Sequence, residues 1–250
     1  MSETPDYAYV AFLDILGYRD LLERDTKEGT SIFRDRMTRA FRHFENINRA
    51  KHQYQIISDS IFFTCADRAA AKEFLGHVRS IFAAFLAEGL LIRGGVTFGP
   101  HFMNHSVTYS PALTKAYKLE STEAMFPRVM VDSNIMAMFD DLVDSGYVKA
   151  SGGNWFLAVA TNENLDQLWE LAKATAIADH EAIHKSENIR SKHKWLQDYL
   201  LECHTVASRP LKRPYLSTFD SHTALIEAGQ RLRIEALATV IARVAQSKPA

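Results

Sequence analysis

The stretch "YVAFLDILGYRDLL", residues 9–22, decides the fold. Tyr9, Val10, Phe12, Leu13, Ile15 and Leu16 read as a buried strand that ends at Gly17. Asp14 does not belong in such a run. An ionised carboxylate there costs several kcal/mol or more to desolvate unless something compensates it. It must be paired, protonated or bound to a cation.

Asp59 poses the same problem. It lies between "YQII" and "SIFF", where two short β-rich runs meet at the polar hairpin tip Ser58-Asp59-Ser60. If the strand from Tyr9 pairs beside that hairpin, both carboxylates converge at one edge of a sheet. Two carboxylates that close repel strongly at low dielectric, and a shared divalent cation is the natural compensation. Oxygen-only ligands suit Mg²⁺ or Mn²⁺ rather than zinc, and such ions serve phosphoryl transfer. Gly17 would then let the backbone N–H groups of Leu16, Gly17 and Tyr18 approach phosphate oxygens at a helix start. Each aspartate alone also has a plainer role, Asp14 as a helix cap and Asp59 as an ordinary turn residue.

The rest of the chain reads as an α/β domain over residues 1–160 and a helical C-terminal extension over 161–250. Helical spacing marks 19–25, 31–51 and 69–89, the last stopping at Gly89. A strand over 90–100 is interrupted by Gly94 and Gly95, which provide room for close backbone packing or a bulge. Ser110 caps a helix over 110–122 with Pro111 at its first position. A strand over 127–132, a helix over 133–143 and a hairpin closing around Gly152-Gly153 follow. Beyond Asn162, residues 165–207 and 221–246 read as helical, with 165–189 as one amphipathic helix.

Composition narrows the function classes. In 250 residues, 47% are hydrophobic and 24% charged, and the net charge of −1 gives no bulk attraction to nucleic acid or a membrane surface. Cys65 and Cys203 make neither a disulfide framework nor a metal-ligand spacing. The start "MSETPDYAYV" lacks the basic region of a signal peptide, and no apolar run reaches the roughly 18–20 residues of a membrane span. A cytoplasmic protein is expected.

Taken in order, "FLDILGY", "IISDSIFF", "IRGGVTFGP" and "SPALTKAYKLE" resemble the class III nucleotidyl cyclase domain over about residues 7–160. The resemblance implies a palm-like α/β fold with a ferredoxin-like core, catalysis in a homodimer cleft, and two metal ions held by Asp14, Asp59 and the Ile15 carbonyl. It further implies attack of a ribose 3′-hydroxyl on the α-phosphorus, giving a 3′,5′-cyclic nucleotide and pyrophosphate. The Asn and Arg of the family's helix align with Thr114 and Lys118, which by that analogy serve the partner protomer's site. Lys118 supplies a point charge without the bidentate fork of Arg.

The departures bear on the base. Where purine cyclases carry a base-reading Lys, this chain has Gln55, preceded by Tyr54; where a second reader is expected it has Asn104-His105-Ser106-Val107. The wording is most similar to the pyrimidine cyclases of bacterial Pycsar antiphage systems, with Gln55 or Tyr54 as base reader. UTP is the expected substrate, CTP or a purine the alternative, and a downstream cyclic-nucleotide effector is expected on another chain. A non-catalytic nucleotide-binding module is the rival from a different class. Arg93 is expected to bind phosphate or orient the metal carboxylates, against the plainer reading of a solvated edge residue or a carboxylate's partner.

One further motif competes. "HEAIH", residues 180–184, matches the H-E-x-x-H zinc-peptidase signature, with Glu202 as a nominal third ligand. It sits in a helical segment with no strand to present a substrate, and it leaves Asp14 and Asp59 unexplained. His180 and His184 are expected to be surface or packing residues.

Overall fold

The computed structural model describes residues 6–104, 107–210 and 212–217. In chain order the elements are β1 (Asp6–Ile15), α1 (Tyr18–Glu28), α2 (Ile32–Phe41), β2 (His52–Ile57), β3 (Ser60–Cys65), α3 (Ala71–Ala87), β4 (Ile92–Met103), β5 (Thr108–Tyr109) and α4 (Pro111–Glu123). There follow β6 (Val129–Val131), α5 (Ser133–Met138), β7 (Val148–Ser151), β8 (Asn154–Leu157), α6 (Leu165–Ala178), α7 (His180–Lys185) and α8 (Glu187–Val206). One sheet runs β2-β3-β1-β4-β6-β8-β7, with β5 paired to β4 outside that path. The β2-β3-β1-β4 part is antiparallel throughout, and helices join β1 to β2 and β3 to β4, which is the ferredoxin-like arrangement.

The pleat of β1 divides the molecule into two faces. Tyr9, Ala11, Leu13 and Ile15 point into the large core, against Phe74, Phe82 and Phe85 of α3. Ala8 and Val10 point the other way, onto Ala112 of α4. Phe12 and Asp14 share that second face. Asp14 is therefore not buried in the main core; it stands at the end of the face that α4 covers.

The strand expected to break at Gly94 and Gly95 does not break. β4 runs unbroken for 12 residues because both glycines sit in extended backbone and are needed for approach. A Cβ on Gly95 would lie 2.7 Å from Leu119 Cβ and closer still to the Ala116 carbonyl; one on Gly94 would meet Leu13 and the Phe12 carbonyl. α4 thus lies directly on the backbone of β4, presenting Ala112, Ala116 and Glu120 at successive turns.

The helix expected over 165–189 is three helices. Ser186 is extended and its hydroxyl accepts from the Ile189 amide, so it ends α7 and caps α8. Leu168 and Trp169 of α6 and Leu196, Tyr199 and Leu200 of α8 are buried in the same cluster as the sheet. Trp195 stacks on Phe126 at 5.9 Å. The expected helix over 221–246 lies outside the described residues.

Candidate functional site

Register brings the two aspartates together. Asp14 is directly opposite Ser60 on β3 and Arg93 on β4, while Ile57 pairs Ser60 from the far side. Directly opposed residues share a face. Asp59 occupies the turn just beyond, and its carbonyl accepts from the Ile15 amide at 3.3 Å, tying the hairpin tip to the end of β1. Ser58 holds φ +59 at the first central position of this turn, where glycine is usual.

The electrostatics follow from crowding. Burial, and then the Asp59 carboxylate, push the Asp14 carboxyl above its ordinary pKa, while Arg93 pulls it back. Arg93 Nε lies 3.4 Å from Asp14 Oδ2 and 2.6 Å from Glu120 Oε1. The Glu120 contact is an ion pair in distance but is not aligned as a hydrogen bond. Glu120 is only 3% exposed, and burial, with Asp14 and Asp59 nearby, raises its carboxyl too. One guanidinium therefore lies between two carboxylates, with Asp59 beside the first. Arg93 is central in the sheet, not an edge residue, and it holds Asp14 and Glu120 in place.

Glu120 is the residue that sequence reasoning missed. It reads as one more polar helix position in "KLE", and only its eight-residue spacing from buried Ala112 signals that it faces the sheet.

The expected phosphate cradle needs one correction. Gly17 adopts φ +77 and ends β1 at the start of α1, and no side chain caps that helix, so Asp14 is not its cap. Leu16, however, donates its amide to the Leu91 carbonyl at 2.9 Å. Of the three expected amides, Gly17 and Tyr18 remain for an anion at this helix start.

The two candidate base readers fall on opposite faces. Tyr54 pairs Phe63 on the core side, packs its ring 4.8 Å from Phe44 and is covered by Arg49. The pleat points Tyr54 away from Asp14, so it does not share the face on which a base would meet the aspartates. Gln55 pairs Phe62, which pairs Phe12, so it is exposed on Asp14's face. Asn104 accepts from the Val107 amide across the β4–β5 turn, and His105 and Ser106 lie outside the described residues.

Thr114 and Lys118 are exposed on α4, away from the Asp14 cluster of their own chain. The Thr114 hydroxyl donates to the Ser110 carbonyl at 3.2 Å. Lys118 lines a separate cavity of ≈ 290 Å³ beside Asp132 and Trp155. Lys115 takes Asp132 at 2.5 Å, and Lys118 has no ion pair among the described residues.

Other candidate centres are accounted for locally. Glu181 of "HEAIH" pairs with Lys185 at 3.7 Å and Glu202 with Lys149 at 3.1 Å. His52, Glu73 and His77 bring ligand atoms within 4.8 Å of one another, but Glu73 is shared between Lys51 at 2.6 Å and His52 at 3.1 Å. No helix among the described residues is long and apolar enough to cross a membrane.

No family model matches the sequence, and no curated protein matches it. Solved structures do align. The monomeric guanylyl cyclase domain of the RhoGC fusion protein from the aquatic fungus Blastocladiella emersonii covers 62% of this chain and 96% of its own, at 12% identity and a TM-score of 0.46. The guanylate cyclase domain of RhGC from Catenaria anguillulae, in complex with GTP, covers 63% and 99%, at 13% identity and 0.44. A bacterial light-regulated adenylyl cyclase covers 70% and 59%, at 11% identity and 0.44.

Proposed function

We propose that the chain is a metal-dependent nucleotidyl cyclase that converts UTP to 3′,5′-cyclic UMP and pyrophosphate. The observation that carries this reading is the convergence of Asp14 and Asp59 at one end of the sheet, beside Arg93 and Glu120. A binding module has no use for three carboxylates gathered at one end of the sheet. The oxygen donors of Asp14, Asp59 and the Ile15 carbonyl fit Mg²⁺ or Mn²⁺, because the burial and the Asp59 repulsion that raise the Asp14 carboxyl are what a divalent cation offsets. Bound at these oxygens, two such ions would acidify the ribose 3′-hydroxyl and offset the charge of the phosphates.

In the reaction, the 3′-oxygen gives up its proton to solvent and bonds to the α-phosphorus. The bond from that phosphorus to the bridging oxygen breaks, and pyrophosphate leaves with the electron pair. The chain's own groups hold this geometry. Arg93 and Glu120 lock the Asp14 carboxylate, and the Gly17 and Tyr18 amides receive phosphate oxygens. Thr114 and Lys118 of one protomer serve the site of the other in a symmetric homodimer, orienting the ribose and adding positive charge. Gln55, free on the face of Asp14, offers an amide donor and acceptor to the N3–H and O4 of uracil; turned over, the same amide matches cytosine, so CTP is the second substrate to test.

The resemblance to antiphage pyrimidine cyclases supports a messenger role, with the cyclic product read by an effector on another chain. The test is pyrophosphate release from UTP with Mn²⁺, comparing wild type with Asp14→Asn and Asp59→Asn. Release that persists undiminished in both variants overturns the assignment.

A further inference from the structure

A cavity of ≈ 200 Å³ opens between the β1–α1 turn and helices α7 and α8, walled by Leu16, Gly17, Asp20, Arg24, Arg36 and Lys192. It joins the start of α1, where helix amides and the helix dipole favour an anion, to the helical C-terminal region. Arg36 and His193 on its wall, and Lys194 next to Lys192, already have partners. Arg36 donates to the Glu88 and Gly89 carbonyls, each at 2.6 Å. On α8, His193 takes Asp179 at 3.3 Å and Lys194 takes Asp198 at 2.5 Å.

Lys192 differs from Arg36, His193 and Lys194. It is half-buried and lines the cavity, yet it has no ion pair among the described residues. Its amine feels Asp20 and Asp14 as attractive charges and Arg93 as a repulsive one, which places it in the field of the aspartate cluster. A cation held in a partly dry site without a protein anion is placed to take one from a ligand.

We propose that this cavity receives the terminal phosphates of the nucleotide and that Lys192 supplies a cation to them from the same chain. The inference deepens the cyclase reading and rests on it: the helices after residue 164 then form one wall of the substrate site. The ligand chemistry is a polyphosphate, which arrives either as the tail of a nucleoside triphosphate or as free pyrophosphate.

The test uses the full chain and two probes. Inorganic tripolyphosphate binding is measured by calorimetry, and UTP turnover with Mn²⁺ is measured in parallel, for wild type, Lys192→Gln, Lys192→Arg and Lys194→Gln. Losing a charge-assisted hydrogen bond predicts roughly 10- to 100-fold weaker tripolyphosphate binding in Lys192→Gln. The same variant should raise the KM for UTP more than it lowers kcat, Lys192→Arg should recover part of both, and Lys194→Gln should match wild type. Weak tripolyphosphate binding with an unchanged KM for UTP assigns the cavity to free pyrophosphate instead and overturns the substrate-tail assignment. Wild-type behaviour of Lys192→Gln in both assays overturns the proposal while leaving the cyclase reading intact. Tripolyphosphate binding that depends on Lys192, in a wild type that cyclises no nucleotide, removes the cyclase reading and keeps the anion site.

Discussion

Substituting Gly95 by alanine tests the link between packing and the site. α4 rests on Gly95, and an added Cβ would sit 2.7 Å from Leu119 Cβ, with the Ala116 carbonyl nearer still. Ordinary contact begins at 3.4 Å, so α4 must retreat by about 0.7 Å to clear Leu119 alone. Overpacking of this kind costs about 1–3 kcal/mol, or about 2–12 °C in melting temperature for a chain of this size. The retreat also carries Glu120 away from Arg93, and a displacement approaching 1 Å at such a site costs roughly a hundredfold in rate. Gly99 is the internal control. It lies on the same strand and face, but its added Cβ would meet Ala112 Cβ at an ordinary 3.5 Å. Thermal melts and UTP turnover should show Gly95→Ala impaired in both and Gly99→Ala near wild type. If the two variants behave alike, α4 does not lie where the account needs it.

Three further outcomes follow from the same geometry. The Asp14 and Glu120 carboxyls are both raised, chiefly by burial, so their stabilising contribution is present below the ordinary carboxylate pKa of about 4 and is lost as pH rises through the raised values. Metal-free protein should therefore lose melting temperature with rising pH, and Asp14→Asn should flatten that fall; a variant with the same pH profile as wild type contradicts it. Gln55→Ala should raise the KM for UTP about tenfold while Tyr54→Phe leaves it unchanged, since only Gln55 shares the face of Asp14; equal effects in a kinetic comparison would refute the face assignment. Mixed dimers of Asp14→Asn and Lys118→Ala should regain up to a quarter of wild-type turnover, because random pairing leaves one intact site in half the dimers; no activity above either parent would place Lys118 in its own chain's site.

The sequence carried the frame because β1, the β2–β3 hairpin and α4 each announce themselves locally. The polar tip at Ser58-Asp59-Ser60 and the cap and proline at Ser110-Pro111 are short-range signals, and the structure keeps them. What the sequence could not supply was register. Tyr54 and Gln55 are adjacent letters with opposite destinations, and only the pairing of β2 with β3 and β1 decides between them. Glu120 and Lys192 escaped for a related reason. Each looks like a solvated helix residue until the helix is placed, Glu120 against Arg93 and Lys192 against the β1–α1 turn. The pair Gly94-Gly95 rightly signalled close backbone packing, but a missing Cβ does not say which backbone approaches, and the strand runs on through both.

The most direct test of the account is product identification across the four nucleotides. Purified protein with Mn²⁺ receives ATP, GTP, CTP and UTP separately, with Asp14→Asn and Asp59→Asn alongside, and products are identified by chromatography and mass. The account predicts cyclic UMP and pyrophosphate from the wild type with UTP and none from either variant. Binding of nucleotide without a cyclic product from any of the four would contradict it.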